Sequence, residues 1–105
     1  DISRQQTALV AIRPTDNIIN APLDGDIVRL SPTEATILAI NGHTYMLHVE
    51  TAEHPVTCDW QVRVGDSVSP LTILGMLTGP FTKAYLTVSQ LNSATTSDRP
   101  VLVNQ

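Results

Sequence analysis

The chain reads as an all-β protein, a small antiparallel β-sandwich or barrel-sandwich hybrid with at most one short helix. Three observations predict this. Apolar runs are short, and Gly, Pro and Asn signals break them at close intervals. Gly42–Glu50, GHTYMLHVE, alternates strictly, with Tyr45, Leu47 and Val49 on one face and Thr44, Met46, His48 and Glu50 on the other. Asn41-Gly42 lies between two apolar runs, one of the strongest short-range hairpin signals.

Taken in order, Asp1–Thr7 is a polar arm and Ala8–Ile12 a strand stopped by Arg13-Pro14. Thr15-Asp16-Asn17 is a turn cluster. Ile18–Ala21 is a strand stopped by Pro22, and Asp24-Gly25 predicts a tight turn with glycine at positive φ. Ile27–Leu30 resumes as strand with Arg29 outward, and Ser31-Pro32-Thr33 breaks it. Ala35–Ile40 and Thr44–Glu50 form the hairpin, which brings Glu34 roughly across from His48–Glu50. Thr51–Pro55 is a polar loop, and Val56–Trp60 is a short strand. Gly65-Asp66 is a turn, after which Val68 resumes, and Leu71–Leu77 is a continuous apolar strand. After Gly79-Pro80, the residues Phe81, Ala84, Tyr85 and Val88 have helical spacing, with an edge strand as the alternative. Asn92–Asp98 is a polar loop and Pro100–Val103 a closing strand.

Residues 1–105 make one domain. The formal charge of −4 argues against nucleic acid, whose binding needs a basic face, and against anionic membrane surfaces. No apolar run approaches the ~20 residues that span a bilayer. The lone cysteine, Cys58, fits a reducing compartment and a cytoplasmic protein; it reads as a partly buried strand residue with no basic neighbour to activate it. His43, His48 and His54 are too close together, with too little cysteine, for a structural zinc site, and no metal or other cofactor is expected.

The candidate site centres on His48, a histidine held on a strand beside Met46. A histidine on a rigid strand, beside an apolar neighbour and near water, is a plausible nucleophile. The bland reading of a lone strand histidine is a solvated or satisfied side chain.

Two stretches then combine. One is Ala11-Ile12-Arg13-Pro14-Thr15 followed by Ala21-Pro22-Leu23-Asp24-Gly25; the other is Tyr45–Val49 with His48, followed by Gly65-Asp66-Ser67-Val68. Together with Pro100-Val101 and Asn104 they resemble the glucose-type enzyme IIA of the bacterial phosphoenolpyruvate-dependent sugar phosphotransferase system, from about Thr7 to Asn104. The resemblance implies that His48 accepts phosphate from the histidine-containing phosphocarrier protein and passes it to a sugar permease domain. That makes the chain a phosphotransferase component with a phosphohistidine intermediate.

Where that family has a second histidine, this chain has Glu34; where the family reads H-x-G-x-D-T, it has His48-Val49-Glu50-Thr51-Ala52-Glu53. Glu34, Met46, Glu50 and His54 are therefore the expected neighbours of the phosphoryl site, His54 as a stand-in for the missing histidine. The family's first strands have no counterpart before Ala11, so a homodimer covering an open sheet edge is expected.

Two alternatives accompany this reading. The first is a non-catalytic relative that docks a partner on an apolar ring around His48 (Met46, with Ile37 or Val49 at its border), because Glu34, Glu50 and Glu53 disfavour a bound phosphoryl group. The second is a biotinyl or lipoyl carrier, which needs a lysine at a hairpin turn; the only lysine, Lys83, follows the A-P-x-x-G and G-D-x-V elements instead of lying between them.

Overall fold

A computed structural model describes residues 6–51 and 56–91. The strands are β1 (Gln6–Ile12), β2 (Ile18–Asn20), β3 (Gly25–Ser31), β4 (Glu34–Ala39), β5 (Thr44–Thr51), β6 (Cys58–Trp60), β7 (Ser67–Val68), β8 (Ile73–Leu77) and β9 (Ala84–Leu91). Among the described residues the one helical element is the 3₁₀ turn Phe81–Lys83. The strands form two antiparallel sheets, one of six in the order β1-β9-β5-β4-β3-β7 and one of three in the order β2-β8-β6. The all-β sandwich expected from the sequence is therefore the architecture seen.

The core lies between the sheets. Ile27, Ala35, Ile37, Leu47, Val49, Leu86 and Val88 project into it from the larger sheet, and Ile19, Cys58, Leu74 and Leu77 from the smaller. In the larger sheet their spacing by two is what commits each strand to one orientation, because successive side chains take opposite faces. The opposite face of β5 is left to Thr44, Met46, His48 and Glu50.

Local chemistry explains the strand boundaries. Asp16 Oδ1 accepts a hydrogen bond from the Ile18 amide at 2.9 Å, which turns the chain into β2. In the β4–β5 turn Gly42 has φ 88°, the Asn41 side chain accepts from the His43 amide at 2.9 Å, and the Ala39 amide donates to the His43 carbonyl at 2.8 Å. The Asn-Gly hairpin is formed as its sequence predicts. The Ser31–Thr33 turn is held through three consecutive carbonyls. Ser31 accepts from the Trp60 indole at 2.6 Å, Pro32 from the Cys58 amide at 2.8 Å and Thr33 from the Val49 amide at 2.8 Å.

Three sequence expectations are corrected. Gly25 is not a positive-φ turn residue; it opens β3 and pairs with Ala39 and Val68. A Cβ there would run into the Leu38 carbonyl and lie 2.7 Å from Ile37 Cγ2, so glycine is required by close strand approach. The apolar run Leu71–Leu77 is not continuous strand: Leu71 is 91% exposed in a turn, and β8 begins at Ile73. The turn forms because Thr72 Oγ1 accepts from the Ser69 amide at 2.9 Å.

The segment after Pro80 is neither a full helix nor an edge strand. Pro80 supports a single 3₁₀ turn, and β9 then runs between β1 and β5. Ala84, Leu86 and Val88 are buried with period two, and Tyr, Thr and Val favour a pleated surface; the helical spacing of Phe81, Ala84, Tyr85 and Val88 is coincidental. The loop Thr51–Pro55 beyond Thr51, the loop Asn92–Asp98 and the strand Pro100–Val103 lie outside the described residues.

Gly25→Ala is expected to cost about 1–3 kcal/mol, the penalty of overpacking. Ile37→Ala, which empties a fully buried site, is expected to cost about 2–5 kcal/mol. Denaturant unfolding checks both, and a Gly25→Ala midpoint equal to wild type would show that β3 and β4 do not approach as described.

Candidate functional site

His48 stands on the outer face of the six-stranded sheet, with β4 on one side and β9 on the other. The register sets Glu34 directly opposite it on β4 and Thr87 directly opposite on β9. Glu50 follows two residues later on the same face. His48 Nδ1 lies 3.5 Å from Glu34 Oε2 and 3.6 Å from Glu50 Oε2. Three of the expected site residues thus meet at one ring nitrogen.

Their arrangement has a chemical consequence. An ionised carboxylate only accepts hydrogen bonds, so two of them facing Nδ1 favour the tautomer with its hydrogen on that nitrogen. The other nitrogen, Nε2, makes no hydrogen bond among the described residues. Which imidazole nitrogen carries the proton is set by the partner of its companion. The His48, Glu34 and Glu50 side chains are 32%, 35% and 38% exposed. Polar contacts this open to water add little to stability, so the cluster is not needed to hold the fold.

Glu34 is the residue most firmly positioned from outside. It follows the Ser31–Thr33 turn, whose carbonyls are tied to β5 and β6. Met46 is on the His48 face, as the alternation predicts, but it is only 7% exposed, packed between Thr36 of β4 and Ser89 of β9. Ile37 and Val49 do not border the site. They are 0% and 3% exposed on the core face, because their odd positions in the alternation point inward. The apolar docking ring expected around His48 is therefore not formed by these residues.

His43 is exposed beside the hairpin turn, where its Nδ1 lies 3.1 Å from Gln90 Nε2. Five residues of strand, about 16 Å, separate it from His48. His54 and Glu53 lie outside the described residues. Lys83 ends the 3₁₀ turn that leads from β8 in one sheet to β9 in the other, not a hairpin.

Thr87 is the site neighbour that sequence reasoning missed. Its signal was the alternation Tyr85, Thr87, Ser89, obscured by the helical spacing of the same segment. A cavity of about 660 Å³ lined by Ile12, Arg13, Ile18, Ile73, Leu47 and Leu86 among others opens on the core side of the sheet, away from His48. No set of three His, Cys, Asp or Glu side chains among the described residues is placed to hold a metal ion. No helix among them is long and apolar enough to cross a membrane.

Cys58 is 6% exposed on β6. Burial, with a smaller contribution from the neighbouring Asp59 charge, pushes its thiol up from 9.0 to about 12, so it stays protonated and inert near neutral pH.

No protein family, curated protein or solved structure matches the chain.

In the folded protein Cys58 is expected to resist a thiol–disulfide exchange reagent at pH 8 and to react stoichiometrically once denaturant is added. Above pH 9 the unfolded thiol loses its proton while the folded one keeps it. The unfolded state then binds fewer protons, so stability falls as pH rises from 9.0 toward about 12. Cys58→Ala should flatten that part of the stability–pH curve.

Proposed function

We propose that this protein is a phosphoryl carrier of the sugar phosphotransferase system, with His48 Nε2 as the acceptor. The observation that carries the reading is the orientation of the ring. Both carboxylates face Nδ1, and Nε2 has no hydrogen-bond partner among the described residues on this outer sheet face. The motif resemblance to the glucose-type enzyme IIA supports the same assignment.

In this reading the Nε2 lone pair attacks the phosphorus of the phosphorylated histidine-containing carrier. The P–N bond to the carrier breaks as the new P–N bond forms, and the departing imidazole takes up a proton. Nδ1 keeps its hydrogen throughout, and Glu34 and Glu50 offset the positive charge that the ring acquires as its nitrogen bonds phosphorus. A thiolate on a sugar permease domain, by resemblance, then takes the phosphoryl group and restores the neutral imidazole.

A second reading is favoured by the same two carboxylates. At 3.5 and 3.6 Å from the ring they repel a dianionic phosphoryl group, and a binding or regulatory module with a relict site is consistent with that. The balance turns on geometry. A group on Nε2 is on the side of the ring away from the carboxylates, so their attraction for the ring charge acts over a shorter distance than their repulsion of the phosphoryl oxygens.

The test is incubation with phosphoenolpyruvate, enzyme I and the histidine-containing phosphocarrier, followed by intact mass. One acid-labile phosphoryl group is expected on wild type and none on His48→Ala. Glu34→Gln is expected to slow the transfer on the order of tenfold through loss of ring orientation, in the range for removing a partner that orients a histidine. A faster transfer in Glu34→Gln would mean that the carboxylate opposes the phosphoryl group. No label on wild type, with the donor competent toward another acceptor, would sink the carrier reading in favour of the binding module.

A further inference from the structure

The two sides of His48 are chemically unlike. On the β4 side is a carboxylate, Glu34. On the β9 side the residues of the outer face are Tyr85, Thr87 and Ser89, each with a hydroxyl; Ser89 is itself buried, and Ala84, Leu86 and Val88 are buried on the core face. Thr87 pairs directly with His48, Tyr85 with Glu50 and Ser89 with Met46. The Thr87 hydroxyl makes no hydrogen bond with the described residues, and its side chain is half-buried.

Directly opposed residues on antiparallel strands have Cβ atoms about 4.5–5.5 Å apart, whereas diagonal neighbours are about 7–8 Å apart. Thr87 is thus the hydroxyl nearest the imidazole. Nδ1 is turned toward Glu34 and Glu50, and Nε2 has no hydrogen-bond partner among the described residues.

We propose that Thr87 is a catalytic residue that donates a hydrogen bond from Oγ1 to the phosphoryl group carried on His48 Nε2. The inference rests on the carrier reading and adds to it the group that binds the transferred phosphoryl. A hydroxyl suits a site that already holds two carboxylates. It donates to an anionic oxygen without a charge of its own, and hydrogen bonds to charged acceptors are the strong ones. The β-branch restricts the Thr87 χ1 torsion, so little rotamer freedom is lost when the bond forms.

The proton stays on Oγ1 throughout. The bond that forms is P–Nε2, the bond that breaks is P–N of the donor, and Thr87 acts only on the charge of the equatorial oxygens.

The experiment is rapid-quench transfer from the phosphorylated histidine-containing phosphocarrier to wild type, Thr87→Val, Thr87→Ser and His48→Ala, with unfolding midpoints measured in parallel. Thr87→Val has the same shape and β-branch without the donor. Its transfer rate is expected to fall on the order of ten- to a hundredfold, the worth of one hydrogen bond to a charged group, with its unfolding midpoint little changed. Thr87→Ser is expected to recover most of the rate. Should Thr87→Val fail to fold, Thr87→Ala against Thr87→Ser gives the same comparison. Wild-type labelling with equal rates for wild type and Thr87→Val overturns this inference and leaves the carrier reading standing. Absence of labelling in wild type, with a competent donor, overturns both.

Discussion

The register of the β4–β5 hairpin is the constraint on which the site and much of the core depend. It is fixed at one end by Asn41-Gly42, with glycine at positive φ, and at the other by the Thr33 carbonyl accepting from the Val49 amide. Between those points Glu34 meets His48, Thr36 meets Met46 and Ile37 meets Tyr45. A slip of one residue would turn His48 and Glu50 into the apolar interior and Leu47 and Val49 out to water. Unpaired buried charges cost several kcal/mol or more, so the sheet has one acceptable pairing. The same alternation that buries the aliphatic set gathers the ionisable set on the opposite face.

The candidate site is accordingly a by-product of fold specification, and its residues add little to the stability of the fold. A cluster that exposed to solvent can change its chemistry at little structural cost. A carboxylate at Glu34 can therefore be exchanged while the hairpin keeps its shape. The candidate site and the core thus occupy the two faces of one strand.

Much of this was legible in the residues. The strands of the hairpin, its turn and the placement of Glu34 across from His48 all follow from periodicity and turn chemistry, and the inert character of Cys58 from the lack of a basic neighbour. What was hidden has physical reasons. Gly25 looked like a turn glycine because Asp-Gly is a turn signal, whereas the need for glycine arises from the approach of β3 to β4, a tertiary fact. Phe81–Val88 satisfied two periods at once, and only pairing with both β1 and β5 decides for strand. Thr87 could not be placed next to His48 before that decision, because 39 positions of sequence separate the two residues.

β9 pairs along one side with β1 and along the other with β5. Gln6 of β1 pairs with Leu91 of β9, so this part of the sheet is built from chain segments that leave the ribosome far apart in time. During synthesis β5 can already pair with β4, but its other edge stays open until β9 has emerged. The half of the site containing Glu34 can form early; the half containing Thr87 forms only when most of the chain is available. Folding dominated by such long-range pairing is slow, in the millisecond-to-second range typical of β-sandwiches. Until β9 emerges, the β4–β5 hairpin has an unsatisfied strand edge, the kind of intermediate that chaperones meet.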